Sequence, residues 1–74
     1  MMEAPSKWKP SFGETMKLLR KAEGYTQMRL ANALGVDRTT IAKYETDDRE
    51  PDLKTLCRIA DLFGVTTDEL LGRD

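Results

Sequence analysis

The sequence is poor in the residues that most chemistry requires. It has no histidine, so the commonest general base and metal ligand are missing. Its single cysteine, Cys57, excludes an internal disulfide and a cysteine metal cluster. Aromatics are confined to Trp8, Phe12, Tyr25, Tyr44 and Phe63, so aliphatic side chains must fill most of any interior. No apolar run approaches the ~20 residues needed to cross a bilayer. Met1 to Pro10 is too polar for a signal peptide. No segment alternates at period two, which leaves no candidate strand. No nucleophile–base pair or phosphate loop appears either. These absences argue against an enzyme, a bound cofactor and a membrane partner, and imply a cytoplasmic protein.

What remains is helical. At 74 residues the chain is one small domain, near the lower limit for a self-sufficient core. Ser11 and Glu14 stand at capping-box spacing, Phe12, Met16 and Leu19 form an apolar stripe, and Gly24 stops the first helix. Thr26 caps a second helix carrying Leu30, Ala31 and Leu34, and Gly35 ends it in the left-handed conformation. Val36 plugs the corner. Asp37 caps a third helix, with Ile41 and either Tyr44 or Glu45 facing inward and Arg38, Thr39, Thr40 and Lys43 outside.

Beyond Pro51, Asp52 caps a fourth helix whose inward face is Leu53, Leu56, Ile59, Ala60 and Phe63. Within it Cys57 reads as a small, partly buried hydrophobe. Gly64 stops this helix, Thr66 and Glu69 open a fifth, and Leu70 and Leu71 close the core. The expected fold is all-α: five helices at about 12–23, 27–34, 38–46, 53–63 and 67–71, in a domain spanning 11–74 behind a flexible arm at 1–10. The arm's Lys7-Trp8-Lys9 has the composition to reach a DNA groove; the simpler expectation is that it folds back over the helices or stays disordered. The chain ends just past the fifth helix, which implies no separate oligomerisation domain.

Two short helices joined by a tight turn containing glycine form a helix-turn-helix, whose second helix enters the DNA major groove. Gly24-Tyr25-Thr26-Gln27, Leu30-Ala31, Leu34-Gly35-Val36, Thr40-Ile41, Tyr44-Glu45, Arg49, Pro51, Leu56, Ile59-Ala60, Gly64-Val65 and Leu70 fall in one register. In that register the chain resembles the phage-repressor/Cro type of helix-turn-helix domain, the XRE family, over residues 12–71.

The resemblance implies a compact lambda-repressor-like domain. It implies base reading by Arg38, Thr39 and Lys43, and a phosphate contact from Gln27 at the start of the second helix. Thr40 is assigned to phosphate, and Arg38 has the donors to bond guanine O6 and N7 together. The resemblance also implies an internal ion pair between Arg20 and Glu45 that fixes the first helix against the third. The partner would be double-stranded DNA, bound by a homodimer on an inverted repeat, and the activity that of a repressor.

Residues 46–51 depart from the family, whose loop there carries glycine and basic residues. Glu45, Asp47, Asp48 and Glu50 are acidic, which leaves Arg49 as the loop's phosphate contact. That acidic run also offers a surface to a basic protein partner, and suggests the alternative of a protein-interaction module on the same scaffold. Net charge is −1, but it is unevenly spread. Residues 1–43 hold eight basic and four acidic side chains; residues 44–74 hold four and nine. Local potential at a binding face matters more than the total.

Overall fold

The computed structural model describes residues 10–72 and contains five helices, with no strand among the described residues. They are α1 (Phe12–Ala22), α2 (Gln27–Leu34), α3 (Arg38–Glu45), α4 (Leu53–Phe63) and α5 (Thr67–Leu71). No described helix is long and apolar enough to cross a membrane. Apart from Pro10, the arm expected at 1–10, with Trp8 and its flanking lysines, lies outside the described residues.

Local chemistry sets the helix starts. The Ser11 hydroxyl accepts from the Glu14 amide at 3.1 Å, while the Glu14 carboxylate accepts from the Ser11 amide at 3.0 Å. Thr66 and Glu69 repeat this reciprocal cap at α5. Thr26 and Asp52 accept from the Arg29 and Thr55 amides, so three of the four orphan-donor problems beyond α1 are met by side chains. Asp37 is a correction. It occupies the N-cap position of α3, but its carboxylate makes no capping bond. Its carbonyl alone starts the helix, accepting from the Thr40 and Ile41 amides at 3.0 and 3.2 Å.

Helices α1 and α3 each end one residue earlier than expected, with Glu23 and Thr46 serving as C-caps. Thr46 closes α3 at φ −99° and ψ 2°, off the helical backbone, with its amide still donating to the Ala42 carbonyl at 3.1 Å.

The interior takes one large, fully buried side chain from every helix: Met16, Leu30, Ile41, Ile59 and Leu70. Ala31, Leu34, Tyr44, Leu56, Ala60 and Phe63 surround them, and Val36 packs against the cluster between α2 and α3. Tyr44 and Glu45 both face inward. Helix α3 packs on α1 and α2 together, α5 rests on α1 and α4, and α2 touches α4. Helix α3 is therefore held from two sides while its third side stays open.

Three apolar expectations fail. Leu53 is 76% exposed, Leu71 is 37% exposed and Cys57 is exposed. The buried stripe of α4 is Leu56, Ile59, Ala60 and Phe63. At ~100° per residue, Cys57 lies roughly 110° from that stripe's centre. Leu53 lies roughly 70° away and at the first helical position, beyond the neighbours that cover the rest. Leu71 is the last residue of α5, about 100° round the helix from the buried Leu70.

Candidate nucleic-acid interface

Gly35 makes the turn between α2 and α3. Its φ of 71° is left-handed, and the Val36 amide then donates to the Ala31 carbonyl at 3.0 Å. A Cβ-bearing residue would be strained here, so glycine is what lets α3 start with only three residues between it and α2.

Because Ile41, Tyr44 and Glu45 turn toward the core, Arg38, Thr39 and Lys43 are exposed on the open side of α3, and Thr40 is half-buried beside them. Thr39 and Lys43 stand one turn apart on a common face. Arg38 begins α3 next to the first residue of α2, and its Nη1 donates to the Gln27 side-chain oxygen at 3.2 Å. The starts of α2 and α3, with Arg38 and Thr39, thus gather at one end of the helix pair, and Lys43 follows in the last turn of α3.

Beneath them lies the ion pair. Arg20 Nε donates to Glu45 Oε2 at 2.5 Å and Arg20 Nη2 donates to Glu45 Oε1 at 3.3 Å. Both side chains are more than nine-tenths buried. A third guanidinium donor, Nη1, reaches the Tyr25 carbonyl at 2.7 Å, so the arginine's fork is well occupied. Gln27 joins this pair from above: its Nε2 donates to Glu45 Oε1 at 3.0 Å.

Two features were not read from the sequence. One is the bridging role of Gln27. Its signal is that Gln27 and Arg38 are the first residues of two consecutive, packed helices, which sets their side chains side by side. The other is Arg29, an exposed cation on α2 whose guanidinium lies 4.7 Å from the centre of the Tyr25 ring.

The acidic loop is less available to a partner than its composition suggests. Glu45 is buried in the ion pair. Asp47 takes a left-handed φ of 63° and its carboxylate accepts the Gly13 amide at 2.9 Å, capping the start of α1. Asp48 accepts from the Thr46 hydroxyl at 2.8 Å. Arg49 is exposed and shares a cleft of about 470 Å³ with Thr40 and the carboxylates of Asp37, Glu50 and Asp52.

The helix-turn-helix family model matches residues 16–70. An SPbeta prophage-derived, uncharacterised HTH-type transcriptional regulator of Bacillus subtilis, YonR, is 48% identical over 60 residues, covering 81% of this chain and 56% of the relative. The chain spans about half the length of the curated relatives it matches. Among solved structures, the P22 c2 repressor in complex with a synthetic operator superposes with a TM-score of 0.82 at 26% identity, over 88% of this chain and 98% of that one. Hydroxypropylphosphonic acid epoxidase from S. wedmorenis superposes over 81% of this chain but only 32% of its own, with a TM-score of 0.73 at 31% identity. The scaffold alone therefore does not fix what its bearer does. Its sequence match across both helices of the motif and its repressor-like arrangement of five helices agree: the chain belongs to the helix-turn-helix family of the phage-repressor/Cro (XRE) type.

Proposed function

We propose that the chain is a sequence-specific DNA-binding regulator, acting as a repressor and without catalysis. The observation that carries this reading is the exposed set Arg38, Thr39 and Lys43 on the open side of α3, beside the start of α2. In the proposed complex α3 lies in the major groove, Arg38 reads guanine, and Thr39 and Lys43 read neighbouring pairs. Gln27, Thr40 and Arg49 contact phosphates and set the register rather than the sequence.

Two copies on an inverted repeat would present their α3 helices about 34 Å apart, one turn of duplex. Repression is then steric, because a dimer covering a promoter keeps polymerase off. The likeness to an operator-bound repressor supports this reading. The alternative of a protein-interaction module rests on the acidic loop, and three of its four carboxylates have internal partners.

Selection of bound duplexes from a random pool tests the proposal, with Arg38→Ala run in parallel. The expected outcome is an inverted repeat in which the variant relaxes one pair per half-site. No enrichment, even at low salt, would overturn it.

A further inference from the structure

One face of α1 packs against no other helix. Met16 and Arg20 turn inward, so Glu14, Lys17, Leu18 and Lys21 share the outward side, each three or four residues from another. Leu18 is 63% exposed there, an apolar side chain among charges. With Pro10 these residues line a shallow cleft of about 350 Å³. Neither lysine pairs with a carboxylate among the described residues. The Glu14 carboxylate commits one oxygen to the Ser11 amide, which leaves the other as an acceptor.

We propose that Trp8, from the chain's own arm, covers this cleft and lays its indole on Leu18. The proposal does not depend on the DNA-binding reading. Connectivity favours this occupant. The end of α5 sits against Pro10, since a Cβ on Gly72 would stand 3.5 Å from its carbonyl oxygen, so the base of the arm is held at the cleft. A residue that precedes proline is confined to extended backbone, which for Lys9 sets the side chains of Trp8 and Pro10 on one side. Pro10 lines the cleft, so Trp8 is turned toward it. Two residues of extended chain span about 7 Å. Leu18 lies roughly 9 Å along α1 from the helix's first residue, within reach of that backbone plus an indole.

The chemistry of the cleft also suits an indole. Leu18 and the Pro10 ring offer apolar surface, the Lys17 and Lys21 ammoniums can lie over a ring face, and the second Glu14 oxygen can accept the indole N–H. The arm's methionines have neither a ring face for the lysines nor a donor for Glu14.

Trp8 is the chain's only tryptophan, so its fluorescence reports this contact alone. Acrylamide quenching is measured on the full chain, folded and in urea, for wild type, Leu18→Gln and Leu53→Gln, with far-ultraviolet circular dichroism to confirm the helices. Both leucines are exposed and glutamine is a good helix former, so neither change threatens the fold. In wild type the indole is expected to be shielded relative to urea, with its emission shifted to the blue. Leu18→Gln is expected to lower the docked-to-free ratio about tenfold, the effect of losing roughly half a leucine's burial. Leu53→Gln, on α4, is expected to leave it unchanged.

A wild-type indole as accessible folded as in urea would overturn the proposal. So would shielding that survives Leu18→Gln, or that Leu53→Gln removes equally, because Trp8 would then lie elsewhere on the domain. Shielding that grows with protein concentration would assign the cleft to a second copy. Shielding that needs an added duplex would return the arm to the DNA interface. Either result overturns the docking.

Discussion

Gly13 has no room for a side chain. A Cβ there would stand 2.5 Å from the Tyr44 carbonyl oxygen and 2.6 Å from that of Glu45, both backbone atoms at the end of α3. Inside an ordinary exposed helix, glycine to alanine stabilises by ~1 kcal/mol. Here the sign reverses: Gly13→Ala must push α1 off α3, and we expect it to destabilise by about 1–3 kcal/mol or more, read from a denaturant melt. An unchanged midpoint would mean that α1 does not approach α3 so closely. Asp52 gives a second test at this scale. Hydrogen bonds from the Thr55 side chain and then its backbone amide hold the Asp52 carboxyl below its ordinary value. A carboxyl with a lowered folded pKa stabilises above its unfolded value, and the benefit is lost as pH falls through the folded one. Asp52→Asn keeps a good cap but cannot titrate, so its stability should fall less steeply below pH ~4 than that of wild type. Parallel melting curves from pH 7 to pH 2 would check this; identical slopes would refute it.

At the scale of elements, the junction of α1 with α3 is where electrostatics and packing meet. Arg20 and Glu45 are buried together, so removing one partner leaves an uncompensated charge. Arg20→Met alone should cost about 3–5 kcal/mol, whereas Arg20→Met/Glu45→Met should recover most of that loss. Urea unfolding of the two variants side by side measures the difference, and equal losses would show that geometry rather than charge pairing holds the junction. The same junction shows what was legible in the sequence. Caps at Ser11, Thr26, Asp52 and Thr66 and the apolar periodicity are local signals, and they define all five helices. The outward face of α3 follows from the same periodicity. Long-range approaches leave no such signal. Asp47 meets Gly13 across 34 residues, and nothing near either residue announces it. The exposure of Cys57 follows from its angle to the buried stripe of α4, whereas that of Leu53 at the first position of α4 depends on where neighbouring helices stop, which periodicity within one helix cannot supply. The link from Gln27 to Arg38 likewise exists only once α2 and α3 are packed.

For the whole molecule, the question is how a chain of net charge −1 would hold a polyanion. The uneven spread of charge is the answer we favour, since Lys43, Arg38 and Arg29 are exposed in the half with a basic surplus. Acidic groups nevertheless reach the edge of the proposed interface. Asp37 opens α3 with its carboxylate uncommitted to a cap, and it shares a cleft with Arg49, Glu50 and Asp52. A carboxylate a few ångströms from phosphate repels it by about 1 kcal/mol in water, less where salt screens it. Asp37→Asn retains a residue suited to the N-cap position while removing that charge. It should therefore tighten binding to every duplex by roughly two- to fivefold near 0.15 M salt, with no change in which sequence is preferred. Arg49→Ala should do the opposite, weakening all sequences and lowering the salt dependence by about one phosphate's worth per subunit. A salt titration of wild type and both variants on one operator and one scrambled duplex reads both effects. If Asp37→Asn instead weakens binding to the operator alone, its carboxylate accepts a hydrogen bond from a base, and position 37 belongs among the readers rather than on the repulsive rim.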